Sequence, residues 1–120
     1  MDAFGLYIGT LMQSRNQAHI YHLQSTSYAQ HVALQGYYEG IIPLLDAITE
    51  SYQGQYGILR GYRMSSSLKE DDNPILYFEG LTKFLDSIKE QLPQDSFLVN
   101  QYDEITSLVQ STKYKLKFLH

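Results

Sequence analysis

No cysteine occurs among the 120 residues, which excludes disulfides and thiolate ligation and leaves histidine, carboxylate or water to hold any metal. Tryptophan is absent as well, yet eleven residues are tyrosine, whose apolar ring and polar tip suit half-buried positions and subunit contacts. Basic charge is thin: nine Lys and Arg against thirteen Asp and Glu give −4, with Lys113, Lys115 and Lys117 the only close group. That balance argues against binding to nucleic acid or to an anionic membrane. Long apolar runs are missing too. The opening "MDAFGLYIGTLMQSRNQ" has neither a basic leader nor an uninterrupted apolar stretch, so no signal peptide or membrane span is expected and a cytoplasmic location is. The length suits one domain over 1–120.

What is present is helical periodicity. Phe4, Ile8, Leu11, Met12, Arg15, Ala18, His19 and His22 recur at i, i+3, i+4 spacing and predict a first helix from Asp2 to Leu23. The cluster "QSTS" then offers N-caps for a second, over Tyr28–Tyr52, with His31, Leu34, Tyr38, Ile41, Leu45, Ile48 and Tyr52 as its stripe. Pro43 inside it should bend the helix or free a carbonyl near Glu39. Residues 53–73 read as a long connection in which "GILRGYRM" crosses the fold as an irregular or short helical segment. Asn73 and Pro74 mark the cap and first position of a third helix running to Gln91 or Leu92, which buries Tyr77, Leu81, Phe84, Leu85 and Ile88. Asp95 or Ser96 caps the fourth, whose stripe is Leu98, Tyr102, Ile105, Leu108, Val109, Thr112 and Leu116. Short turns join helices one to two and three to four, and a long connection joins two to three. The expected fold is therefore all-α, a four-helix bundle of ferritin-like connectivity.

Two polar patterns break the apolar faces. Arg15, His19 and His22 continue the buried stripe of helix one, where such groups are costly unless paired, hydrogen-bonded or bound to metal. The alternative is a helix end emerging from the core, with each imidazole bonded to a carbonyl. Glu39, Asp46 and Glu50 line one strip of helix two with no Lys or Arg on that helix; they either bracket a cation or form a solvated acidic face. Ala29, Ala33, Gly36, Gly40 and Ala47 form a small-residue strip that invites close approach, read as a subunit contact or as a seat for "GILRGYRM".

The order His19-x11-His31-x14-Asp46-x3-Glu50, across a helix, a short turn and a second helix, resembles the mini-ferritins, the starvation-induced DNA-binding protein (Dps) family. "AHIYHLQSTSYAQHVAL" stands where that family has its AHW…H pattern and "LLDAITE" where it has D-x-x-x-E. The resemblance implies a homodimer or larger homo-oligomer with iron at a two-fold interface, where Fe²⁺ is oxidised. Carried over, His19 and His31 are the imidazole ligands from one subunit, Asp46 and Glu50 the carboxylates from the other. His22 is an added imidazole that takes the place of His19 if the turn is shifted by one helical step. Imidazole and carboxylate suit iron. The sequence departs from the family pattern at Gln35, where an acid is usual, and at Ile20, where Trp is. It lacks the basic N-terminal extension used for DNA, so that role does not carry over. The chain is similar also to short phage-encoded proteins. The competing function, from another class, is a ferritin-like helical dimer without metal chemistry that acts as an interaction or structural protein. No nucleophile elbow, P-loop or glycine fingerprint points to other enzymes.

Overall fold

The computed structural model describes residues 3–66 and 73–120. Four α-helices carry the fold: α1 (Ala3–Gln24), α2 (Tyr28–Tyr56), α3 (Pro74–Ile88) and α4 (Ser96–Phe118), with a 3₁₀ turn over Lys89–Gln91 and no strand among the described residues. The expected start of the first helix at Asp2, and positions 67–72 of the expected connection, lie outside the described residues. α1 packs on α2 and α3, and α4 packs on α2 and α3. An all-helical, four-helix architecture is thus established, compatible with a bundle.

The helix starts follow from short polar side chains. Ser27, extended at its own backbone, accepts from the Gln30 amide, which satisfies one orphan donor of α2. Asn73 does the same for α3 by accepting from Ile75 N at 2.9 Å, with Pro74 in the first turn. Asp95 differs: it stands at the N-cap of α4 without a side-chain capping bond. Its carboxylate accepts from the Tyr56 hydroxyl instead. α2 runs through Pro43, which is exposed, and extends one turn past the expected Tyr52.

The core is built from the predicted stripes of α3 and α4 and from Phe4, Ile8, Leu11, Leu34, Ile41 and Ile48. Tyr37 is fully buried among them. Ser14 Oγ donates to Leu11 O at 2.6 Å, so its lone pair accepts the Tyr37 hydroxyl, also at 2.6 Å. Burial raises the pKa of Tyr37, against a smaller lowering by Ser14.

After Gly57, whose φ of 91° suits only glycine comfortably, residues 57–65 form an irregular strap along α1. Arg63 N donates to Gly5 O at 3.2 Å and Ser65 N donates to Thr10 Oγ1 at 2.9 Å. The approach is possible because Gly5 and Gly9 have no side chain: a Cβ on either would come within 2.0 Å of Gly61 O or Arg63 O. "GILRGYRM" therefore seats on the glycines of α1. The small-residue strip of α2 turns toward α4, with the Leu108 side chain 3.5 Å from where a Cβ of Gly40 would stand, while Gly36 has open space.

Candidate functional site

Helix periodicity brings the C-terminal turn of α1 against the N-terminal turn of α2, since only Ser25, Thr26 and Ser27 separate them. Three of the four histidines meet there. His22 is 7% exposed, and its ring stacks on that of His31 with centroids 3.6 Å apart and planes 19° from parallel. The pair is reciprocally bonded: His22 Nδ1 donates to His31 O at 2.7 Å and His31 Nδ1 donates to His22 O at 2.9 Å. A carbonyl only accepts, so each Nδ1 carries a proton, and in the neutral form of either ring the lone pair is then on Nε2. His22 O lies in the last turn of α1, where carbonyls lack a helical partner. The clasp therefore closes the helical hairpin as well as orienting two imidazoles.

His19, one turn back and half-buried, stacks on Tyr38 at 4.2 Å and stands 6.0 Å from the His22 ring. Tyr38 meets His22 edge-on at 5.3 Å and carries the Arg15 guanidinium 5.7 Å above its ring. The run of polar groups that breaks the stripe of α1 is thus a stacked array around one tyrosine. Of the two candidates for a partner to His31, His22 is the one placed against it.

The carboxylates stand elsewhere. Asp46 is 15 residues beyond His31 on α2, about 22 Å along the axis, too far to share an ion within one chain. Asp46 lines a 200 Å³ groove between α1 and α2 with Met12, Arg15, Asn16, Ile42 and Leu45. Asp46 and Glu50 are exposed and form no ion pair among the described residues, where Lys117–Glu79 is the one bridge within 4.0 Å. Gln35, which stands where the mini-ferritins have an acid, donates through Nε2 to Glu39 Oε2 at 3.2 Å. No group of three or more His, Asp and Glu among the described residues converges as a metal site. The imidazole end and the carboxylate end of α2 are separate features of the chain.

Residues 22–116 match a family described as a family of unknown function, DUF5856. The chain belongs to that family. The DUF5856 span opens at His22 and takes in the clasp, the turn, the acidic strip and nearly all of α4, whereas His19 and the glycines under the strap precede it. No curated protein and no solved structure matches the chain. No described helix of this DUF5856 member is long and apolar enough to cross a membrane.

The stacked pair itself was not legible from spacing. His22 and His31 were candidates as separate ligands; that each bonds the other's main chain depends on the hairpin geometry. The groove residues Met12 and Ile42 also carried no signal as site residues, because each sits at the margin of its apolar stripe.

Proposed function

We propose that this DUF5856 member is a ferritin-like helical homodimer that binds a divalent metal between its subunits. In this reading the outer α1–α2 groove is the two-fold interface. His22 and His31 supply imidazole ligands from one subunit, with His19 beside them, and Asp46 and Glu50 supply carboxylates from the other. The observation that supports it is the Nδ1 bonding of the clasp. Metal-bound histidines commonly donate one ring N–H to a carbonyl, which fixes the tautomer and leaves the other nitrogen as the ligand atom. An antiparallel pairing of two α2 helices sets the imidazole end of each against the carboxylate end of the other, so that Asp46 and Glu50 gain the cation their repulsion calls for. The donor set of nitrogen and oxygen suits iron, manganese or zinc. Bound iron would supply one-electron chemistry with dioxygen; the chain's own residues would bind and orient it.

A second reading has its own observation. The clasp satisfies one nitrogen of each ring and buries His22, so the histidines already contribute to the hairpin without metal. A helical dimer of structural or interaction function then remains. Two measurements separate the readings: mass in solution by light scattering, and titration with Fe²⁺, Mn²⁺ and Zn²⁺ of protein purified without chelator. A dimer that binds one of these ions, and loses it in Asp46→Ala, supports the first. A dimer with no site supports the second. A monomer of 13.9 kDa at tens of micromolar overturns both.

A further inference from the structure

Two imidazoles share an ion only where it lies in the plane of both rings, because the Nε2 lone pair points outward within its own ring plane. The clasp offers no such point. The rings of His22 and His31 lie face to face, with centroids 3.6 Å apart and planes 19° from parallel. Those planes converge only about 10 Å away, against a Zn–N bond of about 2.1 Å. An ion held by one ring therefore stands outside the plane of the other. While it is closed, the clasp presents one imidazole to an ion and never two.

The two rings are not equally fixed. His22 is buried, with Tyr38 edge-on at 5.3 Å and His19 at 6.0 Å. His31 is half-buried, and its second ring neighbour, Tyr28, is 6.4 Å off and 81% exposed. Rotation of His31 about Cα–Cβ, from one staggered position to another, takes its ring off His22. That breaks one hydrogen bond, from His31 Nδ1 to His22 O at 2.9 Å. The other, from His22 Nδ1 at 2.7 Å, ends on the main-chain oxygen of His31 and need not break. The turn between the helices has bonds of its own: Ser27 N donates to Ser25 Oγ at 3.2 Å and Gln30 N to Ser27 Oγ at 3.3 Å. The stack can therefore open without unfolding the hairpin.

We infer, on the reading that one ion takes both imidazoles, that His31 is a gate. Its ring leaves the stack to bind metal, while His22 stays in place as the fixed ligand. Ligation by both rings and the closed clasp then exclude one another. Without metal the stack closes the end of the hairpin; with metal the ion takes over that closure. Apparent affinity for the ion is lowered by the fraction of molecules in which the stack is open.

Zn²⁺, diamagnetic and without redox chemistry, tests the gate by NMR on the full chain with isotope-labelled histidine rings. In metal-free protein the His22 and His31 rings should share nuclear Overhauser effects, and both Nδ1–H groups should exchange slowly with solvent. At saturating Zn²⁺ the Nε2 resonances of both rings should shift and the ring-to-ring effects should vanish. The Nδ1–H of His31 should then exchange at least about tenfold faster, while that of His22 stays protected. If Zn²⁺ shifts one Nε2 resonance and leaves the stack intact, the gate is overturned and a metal site on a single imidazole remains. Shifts of both resonances with the ring-to-ring effects retained would overturn it as well. Absence of Zn²⁺ binding would remove the metal reading and the gate together.

Discussion

The hydroxyl of Tyr56, in the last turn of α2, donates to the carboxylate of Asp95 at the N-cap of α4 at a distance of 2.5 Å. A capping residue normally turns its side chain to its own helix; this one holds another. The bond to Asp95 is the main reason the Tyr56 pKa is raised, since ionising the phenol would lose the donor and set two negative charges together.

Alkaline stability follows from the same sign. Tyr7, Tyr37 and Tyr102 are also raised, in each case chiefly by burial. A group whose folded value lies above its unfolded value contributes stability that is complete below the unfolded value, about 10 for tyrosine, and is lost as pH rises through the folded one. Helicity should therefore hold to about pH 10 and fall above it. Absorbance at 295 nm should show exposed tyrosines ionising first and the buried ones together with loss of ellipticity. Smooth titration of all eleven with helicity intact would contradict the burial described.

Gly9→Ala should destabilise the protein by about 1–3 kcal/mol, the usual cost of forcing an extra carbon into a packed contact. Its Cβ would meet Arg63 O at 2.0 Å, and main chain yields less readily than a side-chain tip. Gly36→Ala, with nothing within 4 Å, should cost nothing and gain a little through helix propensity. Urea unfolding of the two variants side by side checks the contrast.

His31→Ala should remove metal binding and loosen the hairpin at once, since the same ring makes the bond to His22 O. Asp46→Ala should remove metal binding alone, because Asp46 makes no ion pair among the described residues. His19→Ala, which removes a ring stacked on Tyr38, should weaken the metal less than His22→Ala does. Affinity should fall on acidification, as protons compete for the Nε2 lone pairs. Calorimetric titration with Zn²⁺, paired with thermal melts of each metal-free variant, separates the two effects.

Ile42→Glu should convert a dimer to monomer. Ile42 is partly exposed in the α1–α2 groove beside Met12 and Asp46, where an added carboxylate would be buried against acids on dimerisation. Light scattering reads the outcome; an unchanged dimer mass would place the interface on another face.

The helices were legible because their signals are local. Serine, asparagine and proline at the starts, and recurrences every three to four residues, need no knowledge of the rest of the chain. Every α3 position expected inside is buried, since that helix has a single strongly apolar face. Tyr37 was missed because it lies beside Tyr38, and period alone did not separate the two neighbours; Ser14, 23 positions earlier, decides by accepting the Tyr37 hydroxyl. The seat of the strap is not legible for a related reason. Both α1 and α2 offer small residues, and which pair of glycines meets main chain depends on a segment more than fifty positions away from Gly5. In the candidate site, imidazoles bonded to carbonyls were one of the two readings the sequence offered, and His22 and His31 are bonded so; which carbonyls they take was not legible, because a main-chain oxygen has no residue type to read.

The strap over α1 makes its described contacts with Gly5, Gly9 and Thr10 through its own peptide groups, while its Ile58, Tyr62 and Met64 side chains remain exposed. Such a junction divides evolutionary freedom unequally. The exposed positions of the covering segment are at liberty to drift in sequence, provided it keeps Gly57 and the buried Leu59 and still presents Gly61 O, Arg63 O and the neighbouring amides, whereas the two glycines beneath it tolerate no added carbon. In a lineage of related chains, the strap should be the place where new surface chemistry is tried, and the invisible positions on α1 the ones that hold still.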